Sequence, residues 1–340
     1  MSEEQTRAPG TSDTPSSGTG ETFAARGQGE QLFFDMAFRQ KRKKGKFREV
    51  ACERLEYPVV DTHAHLDTIS HAPLSLARCA FHGIDFITTI VDVFEDAEAT
   101  YRKLDAWRAD AVSLLDDMGH SDYRNSVPTV RIAIGCHPHN AQHYDDALEE
   151  TLIAHLEDTR TCAIGEIGLD YHYDLSPRAD QREAFRRQIR LAHKTGLPVV
   201  LHMREAHDEG FEILTQEGFP AAGVLLHCFN LDEQVLTPWV DAGCFIAYGG
   251  PLTFKNADEV RQSVWSVPRD RLLTETDSPF MTPEPMRGME CGPEHVIFTA
   301  ATMARVLGCD PGEDRREFLE QIHRNALGLL DRGPTSWQRG

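Results

Sequence analysis

The chain has 340 residues, 40% hydrophobic and 26% charged, an ordinary globular composition with room for one large domain and a tail. No run of about 18 apolar residues occurs, which excludes a transmembrane helix, and no basic segment followed by an apolar one marks a secretory signal. A formal charge of −19 argues against non-specific nucleic-acid binding by bulk electrostatics, but not against an acidic site that presents divalent cations to phosphate.

Residues 1–30 are rich in Gly, Ser, Thr, Glu and Pro, a composition that predicts disorder. Leu32–Phe38 is a short apolar patch. Residues 1–48 hold nine basic and six acidic side chains, a net of +3 that leaves −22 on the remainder. Seven of the nine bases crowd into Arg39–Arg48 (RQKRKKGKFR). Two readings compete for this run, a solvated leader or an arm that contacts phosphates, and a single basic run beside a polar tail favours the leader. Residues 1–50 are therefore expected to form a disordered, basic extension, and 51–335 the folded domain.

From Tyr57 onwards, short apolar runs alternate with amphipathic stretches. The runs are Val59–His65, Ile84–Asp92, Val130–His137, Cys162–Leu169, Pro198–Met203, Gly223–Phe229, Cys244–Gly250 and Leu272–Asp277. They are six to nine residues long and mostly apolar, as strands buried on both faces should be. Helix candidates between them include Ser75–Phe81, Arg178–Thr195, Ala206–Gln216, Asp232–Ala242 and Asp258–Ser263, with Pro177 and Gly196 as start and stop signals. The longer gap Phe94–Thr129 holds a polar, acidic helix. Eight strands alternating with helices fit either an open doubly wound sheet or a (β/α)8 TIM barrel. Seven of the eight runs carry His, Asp or Glu towards the C-terminal side, and only a barrel gathers all eight ends at one mouth. The expected class is α/β, a (β/α)8 TIM barrel with a disordered N-terminal extension.

The eight cysteines are scattered, without a CxxC pair, and four of them (Cys136, Cys162, Cys228, Cys244) sit inside apolar runs. Reduced, buried thiols in a cytoplasmic protein are the expectation. No coiled-coil seam is visible, so a monomer is expected.

The first run ends in His63-Ala-His65. Residues two apart on a strand share a face, so both imidazoles can chelate one ion, and imidazole suits Zn, Mn, Ni or Fe. Alone the pair is a weak signal. Four other strand ends add Glu166, His202, His227 and Asp277, each directly after a buried run, where an unpaired polar group would cost several kcal/mol. Six such residues on five strand ends point to a shared metal site.

The segments VDTHAHLD, IGCHPH, GEIGLDYH, LPVVLHMRE, LLHCF, GGPLTFKNA and LLTETDSPFMTPEPMRG, in this order, resemble the TatD family of metal-dependent deoxyribonucleases. The resemblance runs from about Val59 to Leu327 and omits the N-terminal extension. It implies a divalent-metal phosphodiesterase acting on DNA, and RNA is a possible substrate too. Several family members are 3′→5′ exonucleases. By position, His63, His65 and Asp277 would hold one metal, His202 and His227 a second, and Glu166 would bridge them. Mg, Mn and Zn remain open as the metals. Where the family often has HTRD, this chain has His202-Met-Arg204-Glu205.

Two ions about 3.5–4 Å apart suit phosphodiester hydrolysis, since both attacking and leaving oxygens can be stabilised. Asp277 is the candidate acceptor for the water's proton and, with Glu166, forms the expected catalytic pair. His137, ending the third run, is expected to contact substrate. Arg204, Lys255 and Arg287 suit phosphate contacts or solvated loops equally, and Tyr171 suits base stacking or packing equally. The competing enzyme class is a barrel amidohydrolase acting on an amide, lactone or nucleobase. Many of those bridge metals with a modified lysine on the fourth strand, where this chain has Glu166 and no lysine.

Overall fold

The computed structural model describes residues 37–41, 46–95 and 97–340. The expected tail of residues 1–30 and the centre of the basic run lie outside the described residues. The described chain begins with an antiparallel hairpin, β1 (Ala37–Lys41) and β2 (Phe47–Ala51), paired Phe38 with Val50, Arg39 with Glu49 and Gln40 with Arg48. Alternation puts Phe38 and Val50 on one face, where they join Cys52, Met286 and Ile297 in an apolar cluster. The expectation of a disordered extension through residue 50 thus gives way at residues 37–41 and 46–50. Its physical reason is this cluster, which covers the hairpin's apolar side.

Strands and helices then alternate: β3 (Val59–Ala64), α1 (Ala72–His82), β4 (Ile84–Asp92), α2 (Ala97–Asp117), β5 (Thr129–Gly135), α3 (Asp146–Leu156), β6 (Thr161–Asp170) and α4 (Arg178–Thr195). They continue through β7 (Val199–Arg204), α5 (His207–Glu217), β8 (Val224–Leu226), α6 (Glu233–Asp241), β9 (Phe245–Tyr248), α7 (Asp258–Ser263), β10 (Leu272–Thr274), α8 (Val296–Val306) and α9 (Glu313–Leu330). Strands β3 to β10 form one eight-stranded sheet in sequence order, all neighbours parallel. This is the (β/α)8 barrel.

Closure between β10 and β3 relies on side chains. Thr62 Oγ1 donates to the Thr274 carbonyl at 3.0 Å, and Thr274 Oγ1 donates to the Val60 carbonyl at 2.9 Å. The buried Asp61 carboxylate accepts from Thr276 N at 2.9 Å and Thr276 Oγ1 at 2.6 Å. Beyond the strands, the Ala64–Ser278 bridge continues the pairing towards the mouth.

All ten residues of β6 are buried, as expected for a strand with side-chain layers inside and helices outside. Gly168 in β6 has a φ of 143°, and a Cβ there would collide with the His202 carbonyl oxygen. Glycine thus lets β6 and β7 approach closely, setting the Glu166 strand beside the His202 strand.

Candidate metal centre

Glu166 lies within β6 and His202 within β7, while His63 is the penultimate residue of β3. His65, His227 and Asp277 fall one to three residues past strands β3, β8 and β10, which are shorter than the apolar runs suggest. Strand pairing stops where the side chains turn towards the mouth. Asp277 has a left-handed φ of 58°, fixed by its N–H donating to the His63 carbonyl at 2.9 Å. That contact ties the last strand end to the first.

The six residues converge around the Glu166 carboxylate. Its Oε2 is 3.3 Å from His63 Nε2 and 3.9 Å from His65 Nε2. Its Oε1 is 2.5 Å from His202 Nδ1 and 2.7 Å from His227 Nε2. Each oxygen thus faces its own histidine pair. Asp277 Oδ1 lies 3.5 Å from His65 Nε2 and 3.8 Å from His63 Nε2, on the side of the first pair. The rings of His63 and His227 stack with centroids 3.9 Å apart.

Burial opposes ionisation of Glu166, yet His227, His63, His202 and His137 outweigh it and hold the carboxyl well below its usual range. Burial likewise disfavours protonated His227, but Glu166 and Glu275 raise it well above an ordinary imidazole. His63 goes the other way, lowered by burial and by His227. Its side chain is wholly buried, and neither ring nitrogen has a hydrogen-bond partner. An orphaned buried donor or acceptor costs about 1–3 kcal/mol. A cation accepting the His63 Nε2 lone pair would remove that cost. Imidazole and carboxylate donors in two sets sharing Glu166 therefore fit divalent ions, and the residues agree with the group the sequence implies.

Around this cluster lie groups that sequence reasoning did not single out. Asp170, buried at the end of β6, has Oδ2 3.1 Å from His202 Nε2 and 2.8 Å from His139 Nε2. Glu275, wholly buried, accepts from Cys228 N at 2.6 Å and lies 3.6 Å from His227 Nδ1. Such carboxylates behind histidines fix ring orientation and raise basicity. Their signal was present: Asp170 shares the alternation of Glu166 and Gly168, and Glu275 stands two residues before Asp277. Both were hidden inside motifs read for their ligands.

The substrate candidates separate. His137 and Arg204 line the same cavity as the cluster, about 500 Å³ in volume, with Asp92, Tyr173 and Phe280 at its walls. His137 Nε2 is 3.8 Å from Glu166 Oε1, and burial and His202 hold its ring well below the usual pKa. The Arg204 guanidinium stacks 4.5 Å from the Tyr173 ring. Tyr171 lies outside this lining. Its hydroxyl donates to Glu209 at 2.7 Å and its ring carries Arg178 at 4.1 Å, so both edge and face are already engaged. Tyr173, 54% exposed, lines the cavity instead. Lys255 and Arg287 line a neighbouring hollow of about 520 Å³, which shares Met281 with the central cavity.

Among the described residues no helix is long and apolar enough to cross a membrane. All eight cysteines are free and seven are buried.

Residues 60–331 match the family model of TatD related DNases. The chain is 33% identical over 251 residues to the metal-dependent hydrolase YcfH of Escherichia coli, covering 74% of this chain and 88% of that protein. A human 3′-5′ RNA nuclease, TATDN2, is 28% identical over 259 residues, which cover 74% of this chain and 33% of that protein. Among solved structures, the TatD homologue YJJV of Escherichia coli superposes with a TM-score of 0.66 at 27% identity, covering 81% of this chain and 98% of that one. A matched family model spanning the whole barrel, with a relative this similar along most of its length, makes the chain a member of the TatD family of metal-dependent hydrolases.

Proposed function

We propose that this protein is a divalent-metal phosphodiesterase that removes nucleotides from the 3′ end of single-stranded DNA. The observation that carries the reading is Glu166, whose two carboxylate oxygens face separate histidine pairs. His63, His65 and Asp277 would hold one ion, His202 and His227 the other, with Glu166 shared. Bound there, the ions supply Lewis acidity to the phosphodiester and make water more acidic. Asp277, its carboxyl held below the usual range because the hydrogen bond and charges of nearby histidines outweigh burial, stays ionised and accepts the proton of the attacking water. Asp170 and Glu275 orient His202 and His227. Arg204 at the cavity wall binds a non-bridging phosphate oxygen. Tyr173 and Phe280, both more than half exposed beside the cluster, offer faces on which unpaired bases stack.

RNA is the second substrate, supported by the likeness to the human 3′-5′ RNA nuclease. The free cysteines support action in the reducing cytoplasm. The test is digestion of 5′-labelled single-stranded DNA and RNA with Mg2+ or Mn2+, with and without EDTA. Stepwise shortening that chelation abolishes is expected. No shortening with any metal, together with hydrolysis of an amide or lactone panel, would overturn the reading in favour of an amidohydrolase.

A further inference from the structure

The hairpin β1–β2 precedes the matched family segment, which starts at residue 60, so its role is specific to this chain's extension. Its orientation follows from its contacts. At the open end, the Phe38 ring stacks on His82 at 4.6 Å, and Cys52 Sγ lies 4.0 Å from His82 Nδ1. His82 ends α1 and leads into β4, which places it at the barrel's bottom. At the closed end, Gln40 Nε2 donates to the Arg287 carbonyl at 3.0 Å. Arg287 belongs to the loop after β10, at the mouth. The hairpin therefore climbs the outside of the barrel, with Gln40 at the rim.

Arg48 pairs across from Gln40 and so sits on the face that meets the Arg287 loop. Arg48 and the adjoining Lys46 are exposed, whereas Arg39 on the other face is paired with Glu49 at 3.1 Å. Arg287 lies over the Phe254 ring at 3.9 Å and lines the hollow with Lys255 and Glu284, and this hollow shares Met281 with the central cavity. Lys255 and Arg287 thus lie in the hollow beside the metal cavity, and Arg48 and Lys46 lie on the hairpin next to the Arg287 loop. Residues 49–340 carry a net charge of −22. Exposed basic side chains on an acidic body raise the local concentration of a polyanion beside them.

We propose that Lys46 and Arg48 of the hairpin, with Arg287 and Lys255, form a backbone-binding track for the single-stranded polynucleotide leaving the active site on its 5′ side. The proposal rests on the phosphodiesterase reading above. It makes the N-terminal extension a length-sensing element for substrate, with phosphate contacts and no base readout.

The experiment uses the full chain loaded with Mn2+ and three substrates: bis(p-nitrophenyl) phosphate, a 3-nucleotide oligomer, and 12-nucleotide oligomers of DNA and RNA. The Lys46→Gln/Arg48→Gln variant is compared with Lys194→Gln/Arg332→Gln, which removes the same charge near the barrel's bottom. The hairpin variant should leave the small diester and the 3-mer within twofold of wild type. It should raise KM for the 12-mer about tenfold with kcat unchanged. The slope of log(kcat/KM) against log[salt] for the 12-mer should fall by about 1.4, from roughly 0.7 per single-strand phosphate contact. The control pair should change neither. A 12-mer KM that both variants raise equally, or that neither raises, overturns the track. An equal effect on DNA and RNA supports backbone recognition, and an effect on one alone overturns it. Wild-type turnover of the small diester with neither oligomer cleaved would overturn the polynucleotide reading itself.

Discussion

Asp277 holds a left-handed backbone that costs a non-glycine residue of order 1–3 kcal/mol, and the His63 carbonyl accepting its N–H keeps it there. The strain fixes the carboxylate where its Oδ1 faces both His63 and His65. Asparagine tolerates the same φ and nearly preserves the shape, but cannot accept a proton. Asp277→Asn should therefore fold normally and lose about 10²–10⁴ in kcat. Activity assays paired with metal analysis check this, and near-wild-type turnover with full metal content would remove Asp277 from the base's role. Glu275 acts one step back. Its oxygen Oε1 fixes Cys228 N and approaches His227, while Oε2 is buried without a partner. Glu275→Gln keeps the volume and removes the charge behind His227. It should weaken metal binding by about 10–100-fold, measured by competition with a chromogenic chelator. Unchanged affinity would make Glu275 a packing residue only.

At the scale of elements, α6 shows how local signals become structure. Asp232 caps its N-terminus, its Oδ1 accepting from Gln234 N at 2.9 Å and Val235 N at 3.1 Å. The Asp232→Ala variant should cost about 1 kcal/mol. Thermal melting should show a fall of about 2 °C, with phosphodiesterase activity unchanged. A melting temperature equal to wild type would mean that packing alone starts the helix. Such signals explain why α4 runs from Arg178 to Thr195 as the sequence indicates, with Gly196 in the left-handed conformation at its end. The same reasoning placed all eight strands, because apolar runs between helices leave little choice. It overextended several of them at the mouth. His65, His137, His227 and Asp277 read as strand ends but lie past the ladders, since periodicity cannot show where pairing stops. The hairpin was less legible still. Among the described side chains its apolar face is Phe38 and Val50, and much of what covers it, Met286 and Ile297, comes from more than 230 positions away. Tyr171 and Tyr173 share an alternation, so only their contacts, Glu209 and Arg178 for Tyr171 and the cavity residue Arg204 for Tyr173, show which ring faces the cavity.

For the whole molecule, the barrel's ends must be held together before the metal ligands can converge. Side-chain bonds from Thr62, Thr274 and Asp61 close the sheet, and a clasp outside it joins the segment before β3 to α9. In that clasp Arg315 Nε reaches Glu56 Oε2 at 2.6 Å and Arg315 Nη2 reaches Glu56 Oε1 at 2.7 Å, while Nη1 meets Glu53 at 2.6 Å. The Arg315 hydrogen bond lowers the Glu56 pKa from 4.5 to about 2, against a smaller opposing effect of burial. A depressed carboxyl adds stability above its unfolded pKa and loses it as pH falls through the folded value. The clasp should therefore contribute fully above about pH 5 and fade between about pH 4.5 and pH 2. The Glu56 side chain is 27% exposed, so water and salt screen the pair, and about 1 kcal/mol is the scale expected. Comparing wild type with Glu56→Gln cancels the acid titration of the buried histidine cluster, which both proteins share. Their melting temperatures should differ at pH 7, converge steadily below pH 4.5, and differ less in 1 M salt. A gap that widens on acidification would show that Glu56 is stabilised protonated, and the clasp would then be a hydrogen bond without charge.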